Sequence, residues 1–325
     1  MNPVCFYTSC TMMKSLPVPN ELNMGSLGQM SSKNRGKEWM SRLDAYNGEK
    51  RTPIKLYAGG HWSVFRTFVE SQQSSGLRSF VISAGYGLIS TEISSNELLA
   101  PYAATFTSGQ TDSVSTGTTS TRLIENRSWW DQLCSWYPKG LGPIRSIRQT
   151  MKAMPDSVHL LALSSSYLNA ILTDLTLAKR ELSNPNNLII VSTPKKMYGD
   201  INDNIVPTSA NLQTCLGGGL LSLNVRLAIA IYQEFSQSNF SPLSAREFAQ
   251  NLQLNARARE IPKRNKATDM EVNSFIMKSL SAHKSQSYTP LLQSFRKSGR
   301  ACEVKRFRDI FKSTIGSIDA HKTLS

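Results

Sequence analysis

Up to about residue 235, two kinds of apolar run alternate along the chain. Short runs rich in β-branched and aromatic residues predict strands at Val4-Cys5-Phe6-Tyr7-Thr8, Ser79-Phe80-Val81-Ile82-Ser83, Val158-His159-Leu160-Leu161-Ala162-Leu163 and Leu188-Ile189-Ile190-Val191-Ser192. Longer segments with helical spacing predict helices near 61–74, 143–153 and 167–182, and a strong one over 219–235. Strands that read apolar almost throughout are covered on both sides. The alternation therefore predicts an α/β fold, a mixed or parallel sheet with helices on both faces. Residues 15–36 and 90–127 lack periodicity and are predicted as long loops, the second rich in Ser, Thr and Gly over 107–121.

The pattern changes after Pro242. Met270, Val272, Phe275, Ile276 and Leu280 predict a helix over 269–281. Thr289-Pro290 supplies a helix start and Gly299 a stop. A further helix is predicted over 301–315, with Val304, Phe307, Ile310 and Phe311 as its apolar stripe. Two short helices joined at Ser298-Gly299, the second one basic, have the outline of a helix-turn-helix. Two domains are predicted: an α/β domain over 1–238 and a basic helical segment over 242–325.

Charge sharpens that division. The 325 residues carry 37 Lys+Arg and 23 Asp+Glu, a formal net charge of +14. From Pro242 onward there are 16 basic and 7 acidic residues, against 21 and 16 before it. The last quarter thus holds nearly two thirds of the excess, which points to a polyanion partner. The candidate phosphate contacts are Lys263, Arg264, Lys266, Arg296, Lys297, Arg300, Lys305, Arg306 and Arg308. A content of 40% hydrophobic residues argues against a disordered chain. No run approaches the roughly 18 to 20 apolar residues of a membrane span, and no charged n-region precedes an apolar stretch at the N-terminus. The five cysteines, 5, 10, 134, 215 and 302, lack CxxC spacing and read as free thiols in a reducing compartment. A cytoplasmic protein without a membrane, a metal or a cofactor is the expectation.

In open α/β sheets ligands sit beyond the carboxyl ends of the strands. Beyond the first strand come Ser9 and Cys10-Thr11-Met12-Met13-Lys14. Beyond the second comes Ser83-Ala84-Gly85-Tyr86-Gly87, a turn expected to bring backbone amides into the open. Beyond the fourth, after a loop, Cys215-Leu216-Gly217-Gly218-Gly219 opens a helix carrying Asn224 and Arg226, a seat for an anion or an oxygen-rich ligand. Neither a Walker loop nor a full dinucleotide fingerprint is present. Trp129-Trp130 and Trp136-Tyr137 are consistent with base stacking, or with a buried helix start.

Cys10-Thr11-Met12-Met13-Lys14 with Pro17, and Ser83-Ala84-Gly85-Tyr86-Gly87-Leu88-Ile89 with Pro101-Tyr102, resemble the YaaA-like superfamily. That group includes a DNA-binding peroxide-stress protein and the core of archaeosine synthase. The nearest likeness is to the branch belonging to the bacterial system that places 7-deazaguanine bases in DNA. The resemblance covers about 30 motif residues within roughly the first 230. The cysteine-to-lysine spacing matches that of archaeosine synthase, whereas Ser15-Leu16-Pro17 departs from the Pro-Tyr-Ser that follows there.

The resemblance implies hydration of the nitrile of 7-cyano-7-deazaguanine in DNA to the amide. Cys10 would be the nucleophile with Lys14 lowering its pKa, or Lys14 itself would attack. His61 would act as general acid or base. Ser9, Ser83, Gly85, Tyr86, Gly87, Tyr102, Gly217, Gly218, Asn224 and Arg226 would hold the substrate. DNA carrying the modified guanine and other proteins of the modification system are the implied partners. A DNA-binding protein without chemistry is the alternative. A metal-dependent nuclease ranks last, because Asp200 and Asp203 stand on a polar loop and His61, His159, His283 and His321 are scattered.

Overall fold

All four predicted strands form, and two shorter strands extend the sheet at its edges. The structure, a computed structural model, describes residues 3–28, 30–72, 75–91, 97–193, 197–235, 241–258, 263–282 and 287–323. The chain divides into two units, residues 1–259 and 260–325. Among the described residues the first unit runs β1 (Val4–Ser9), α1 (Ser32–Ala45), α2 (Pro53–Leu56), α3 (Gly60–Ser71), β2 (Arg78–Ser83), β3 (Gly87–Ser90), α4 (Thr119–Cys134), α5 (Ile147–Ala153), β4 (Val158–Ala162), α6 (Ser165–Ala170), α7 (Leu172–Lys179), β5 (Leu188–Ser192), β6 (Ile205–Pro207), α8 (Gln213–Leu216), α9 (Leu223–Phe235) and α10 (Pro242–Asn255).

The sheet order is β3-β2-β1-β4-β5-β6, parallel throughout except for β3. From β1 the chain builds outward to β2 and β3 on one side, then returns to build β4, β5 and β6 on the other. The order therefore reverses between β1 and β4, the position at whose carboxyl ends open α/β sheets take their ligands. Alternate side chains of β1 serve opposite faces. Phe6 packs on Phe65 and Phe68 of α3, while Tyr7 reaches Thr150 of α5. Helices thus cover both faces, as the sequence predicts.

Helix boundaries depart from expectation where the buried face is not apolar in sequence. α1 begins inside the loop predicted over 15–36, because its buried face includes Arg35 and Gly36 beside Trp39 and Leu43. Gly36 lets the amide end of Gln132 on α4 lie against α1, and a Cβ there would displace it. α4 likewise occupies the end of the loop predicted over 90–127. Its Trp129 and Trp130 are buried, which settles them as core residues and not base platforms. The helix predicted over 167–182 breaks at Ile171 into α6 and α7.

A buried turn joins β2 to β3. Ser83 Oγ accepts from the amides of Gly85 (3.2 Å) and Tyr86 (3.0 Å). The three turn carbonyls are met in order by the Trp129 indole on Ala84 (2.8 Å), the Trp39 indole on Gly85 (2.9 Å) and the Arg145 guanidinium on Tyr86. The amides expected to lie open to a ligand are therefore already used. The reason is burial: an unmet polar group inside a protein costs about 1–3 kcal/mol.

The domain boundary also moves, from 238–242 to 259–260. α10 belongs to the α/β unit because Ala245 and Ala249 are buried in its core, and Arg246 donates to the carbonyls of Asp203 (2.8 Å) and Ile205 (3.2 Å). The second unit runs β7 (Asn265–Lys266), α11 (Asp269–Ala282), α12 (Tyr288–Lys297), β8 (Arg300–Ala301) and α13 (Val304–Thr323). Val272, Ile276, Leu291, Leu292, Phe295 and Phe307 belong to a core of its own. After the turn at Ser298-Gly299 the chain forms β8, which pairs in parallel with β7 before α13 starts. No single helix among the described residues is long and apolar enough to cross a membrane.

A Cβ at position 85 would stand 2.5 Å from the Tyr102 ring. Gly85→Ala is expected to lower unfolding free energy by about 1–3 kcal/mol, measured by urea denaturation of the full chain. Gly60→Ala, with no atom within 4 Å of its added carbon, is the control and is expected to change little.

Candidate functional site

Cys10 follows β1 directly, at the point where the strand order reverses, and its amide donates to the Ile82 carbonyl of β2 (3.0 Å). Its side chain is 6% exposed, and Sγ lies 3.1 Å from the hydroxyl of Tyr167 on α6, which follows β4. The carboxyl ends of β1 and β4 thus hold a buried thiol against a phenol. A negative charge on Cys10 raises the pKa of Tyr167, Tyr57 and Tyr102, and burial raises each of them more. All three phenols stay protonated, and the Tyr167 hydroxyl is the one within hydrogen-bonding distance of the thiol.

Lys14 arrives by a loop, not a helix. Its ammonium folds back to the carbonyl of Thr11 (2.5 Å) and lies 4.3 Å over the Tyr102 ring and 5.2 Å over that of Tyr57. Desolvation lowers its pKa to about 8, against the smaller opposing pull of Cys10 and Asp112. The two aromatic faces hold the cation where few polar atoms reach it.

Under those rings runs a line of hydroxyls. Ser83 Oγ already accepts two amides, so its hydrogen goes to Tyr102 (2.6 Å). Tyr102 in turn meets Tyr57 (2.9 Å), where either hydroxyl can donate, so one of their two hydrogens bridges the pair and the other is left over. The arrangement supplies a thiol, an amine titrating near pH 8 and a phenolic donor beside the thiol. That is the equipment for nucleophilic addition to a polarised carbon with protonation of the atom that leaves or gains charge.

Of the residues predicted from sequence, Cys10, Lys14, Ser83 and Tyr102 come together here, with Ser9 half-buried at the end of β1. Gly85 and Gly87 shape the turn beneath them, Gly87 at φ 79° against Leu133. Tyr86 is turned to internal work: its hydroxyl accepts from the Ala100 amide (3.0 Å) and its ring stacks on Trp136.

His61 has both ring nitrogens engaged away from Cys10. The Leu221 carbonyl can only accept, so Nδ1 (3.2 Å) carries the proton, and Nε2 accepts from the Thr8 hydroxyl (2.8 Å). Burial lowers its pKa, which keeps the ring neutral. Asn224 bonds the Leu163 carbonyl (2.7 Å) and Thr208 (2.6 Å), tying α9 to the ends of β4 and β6. Arg226 folds over Gly218 and donates to the Leu216 carbonyl (3.2 Å), occupying the seat expected for an anion at Gly217 and Gly218.

Sequence reasoning missed Tyr57, Tyr167 and Asp112. Tyr167 lay within reach of it, since Ser164-Ser165-Ser166-Tyr167 follows the third predicted strand as Cys10 follows the first. Tyr57 and Asp112 arrive from connecting segments and carry no local signal. Among the described residues no group of three or more His, Cys, Asp or Glu is placed to hold a metal ion. His283 lies outside the described residues. All five cysteines are free.

In the second unit, Arg306 pairs with Asp269 (2.5 Å) and Arg308 lies 3.7 Å from Asp309. Arg296 donates to the Cys302 carbonyl (2.8 Å) and Arg264 to the Arg296 carbonyl (3.0 Å). Lys263, Lys266, Lys297, Arg300 and Lys305 are exposed. No family model, no curated protein and no solved structure matches the chain.

The lysine of this site can be titrated directly. Pulse labelling with an amine reagent between pH 6 and 11, read by peptide mapping, is expected to give Lys14 a midpoint of about 8. Asp112→Asn removes a charge that raises this pKa, so the midpoint is expected to fall further. The unfolded chain holds this proton up to the ordinary value of 10.5. Between the two values the unfolded state binds more protons, and the Lys14 contribution to stability grows as pH rises.

Proposed function

We propose that the protein hydrates a nitrile on a base carried in DNA, converting 7-cyano-7-deazaguanine to 7-amido-7-deazaguanine. The observation that carries this reading is the Cys10 thiol, 3.1 Å from the Tyr167 hydroxyl at the sheet's switch point, with Lys14 in the same site. The motif likeness to the YaaA-like superfamily, and within it to DpdC, supplies the substrate. The proton equipment around the thiol is what such a substrate needs.

The Cys10 sulfur forms a bond to the nitrile carbon, and the nitrogen takes the thiol proton and then a second from a neighbouring donor. The product is a protonated thioimidate. Water adds to its carbon, the carbon–sulfur bond breaks, and the two protons of the water return one to the sulfur and one to the neighbouring donor, leaving the amide oxygen on the carbon. One water is consumed, and no oxidant or reductant enters. Lys14 near pH 8 offers both a proton and a positive field beside the sulfur. Serving a duplex would require the base to leave the stack, and the basic second unit would hold the backbone in a cytoplasmic setting, beside other proteins of the same modification system.

A second reading, DNA binding without chemistry, is favoured by one observation: Cys10 is only 6% exposed. A single assay separates the two. Duplex DNA bearing the cyano base is incubated with the full-length protein, digested, and its nucleosides weighed by mass spectrometry. The expected product is heavier by one water, and Cys10→Ala is expected to lower the rate by about a thousandfold or more. Conversion at the wild-type rate by Cys10→Ala would remove the sulfur from the mechanism. Binding without product by the wild-type protein would favour the second reading.

A further inference from the structure

The geometry points to the paired strands β7 and β8, with the adjoining end of α12, as the surface that grips the DNA phosphate backbone. Helix α13 is not that surface. The inference rests on the reading that the protein works on DNA, and it deepens it by naming the contact.

The charge of this unit is strongly one-sided, with thirteen Lys and Arg against six Asp and Glu over residues 260–325. What decides its use is where the acids are already committed. Glu271 accepts from the amide (2.8 Å) and hydroxyl (3.1 Å) of Thr268, closing the start of α11. Glu303 accepts from the amides of Lys305 and Arg306 (3.0 Å each), closing the start of α13. Asp269 takes Arg306, and Asp309 faces Arg308. Both arginines of α13 are thus beside carboxylates, and both are half-buried.

The strand pair carries cations outside any salt bridge among the described residues, although Glu271 also feels the charge of Arg300. Register places Asn265 beside Arg300 and Lys266 beside Ala301, and the Arg264 bond to the Arg296 carbonyl brings the end of α12 against the same strands. Lys263, Lys266, Lys297 and Arg300 are exposed, and none is held in a salt bridge among the described residues. Arg300 rests 5.8 Å from the Phe295 ring, which anchors it to the core of the unit. Two-residue strands are too short to follow base edges along a groove. Flexible lysines around them suit a regular row of phosphates, which gives position and affinity but no sequence information.

The test uses the full chain and a labelled 30-base-pair duplex of arbitrary sequence, with binding followed by anisotropy at several salt concentrations. Replacing Lys263, Lys266, Lys297 and Arg300 together by Gln is expected to flatten the slope of log affinity against log salt by about 3.6, near 0.9 for each lost phosphate contact. Replacing Lys305 and Lys312 by Gln is expected to change it by less than about 1. These side chains are exposed, and an unchanged thermal transition verifies the fold of each variant. An unaltered slope in the first variant, or a larger loss in the second, overturns the strand-pair assignment while DNA binding stands. Failure of the wild-type protein to bind duplex at low salt overturns the DNA reading itself.

Discussion

The buried turn between β2 and β3 is the constraint on which the first unit depends. A tight turn forces β3 to run antiparallel, the one exception in an otherwise parallel sheet. It also buries three consecutive peptides that must find partners inside the protein. Ser83 answers the amides, and Trp39, Trp129 and Arg145 answer the carbonyls. These partners come from α1, α4 and the segment before α5, so the turn pins the helical layer to the sheet edge. The same Ser83 hydroxyl orients Tyr102, and Tyr102 lies under Lys14. Packing at the edge and electrostatics at the site are thereby one structure.

The site illustrates how a short sequence spacing becomes chemistry. Cys10 and Lys14 are four residues apart, which on a helix would place them one turn apart. Here the chain leaves the strand as a loop, and Lys14 turns back onto the carbonyl of Thr11. Its charge is then shared among two aromatic faces, the thiol and the carboxylate of Asp112. Burial sets the direction of its pKa shift, and the neighbouring anions limit its size.

The sheet was legible because buried parallel strands announce themselves as apolar runs, as at 158–163 and 188–192. The two edge strands were not, since Gly87–Ser90 and Ile205–Pro207 are short and are fixed by pairing. α1 was partly hidden because Arg35 and Gly36 stand on its buried face, where a guanidinium reaches the Val114 carbonyl and an absent side chain makes room for α4. At the site, residues of β1, of β2 and of the loop following β1 were legible, because strand ends are where ligands gather. Tyr57 and Asp112 were not, since only the folded chain brings them near. The glycines misled in a consistent way. Both Gly85 and Gly218 leave room for a neighbour's side chain, Tyr102 in one case and Arg226 in the other, and not for a ligand.

The indoles that close the turn have an optical consequence. Trp39 and Trp129 each give their N–H to a turn carbonyl, their rings lie 6.3 Å apart, and Trp39 meets Tyr102 edge-on at 6.2 Å. Their emission is therefore wired to the ring beneath Lys14. A molecule entering the site and shifting Tyr102 would change the native fluorescence of the protein, so occupancy can be followed in solution with no label attached.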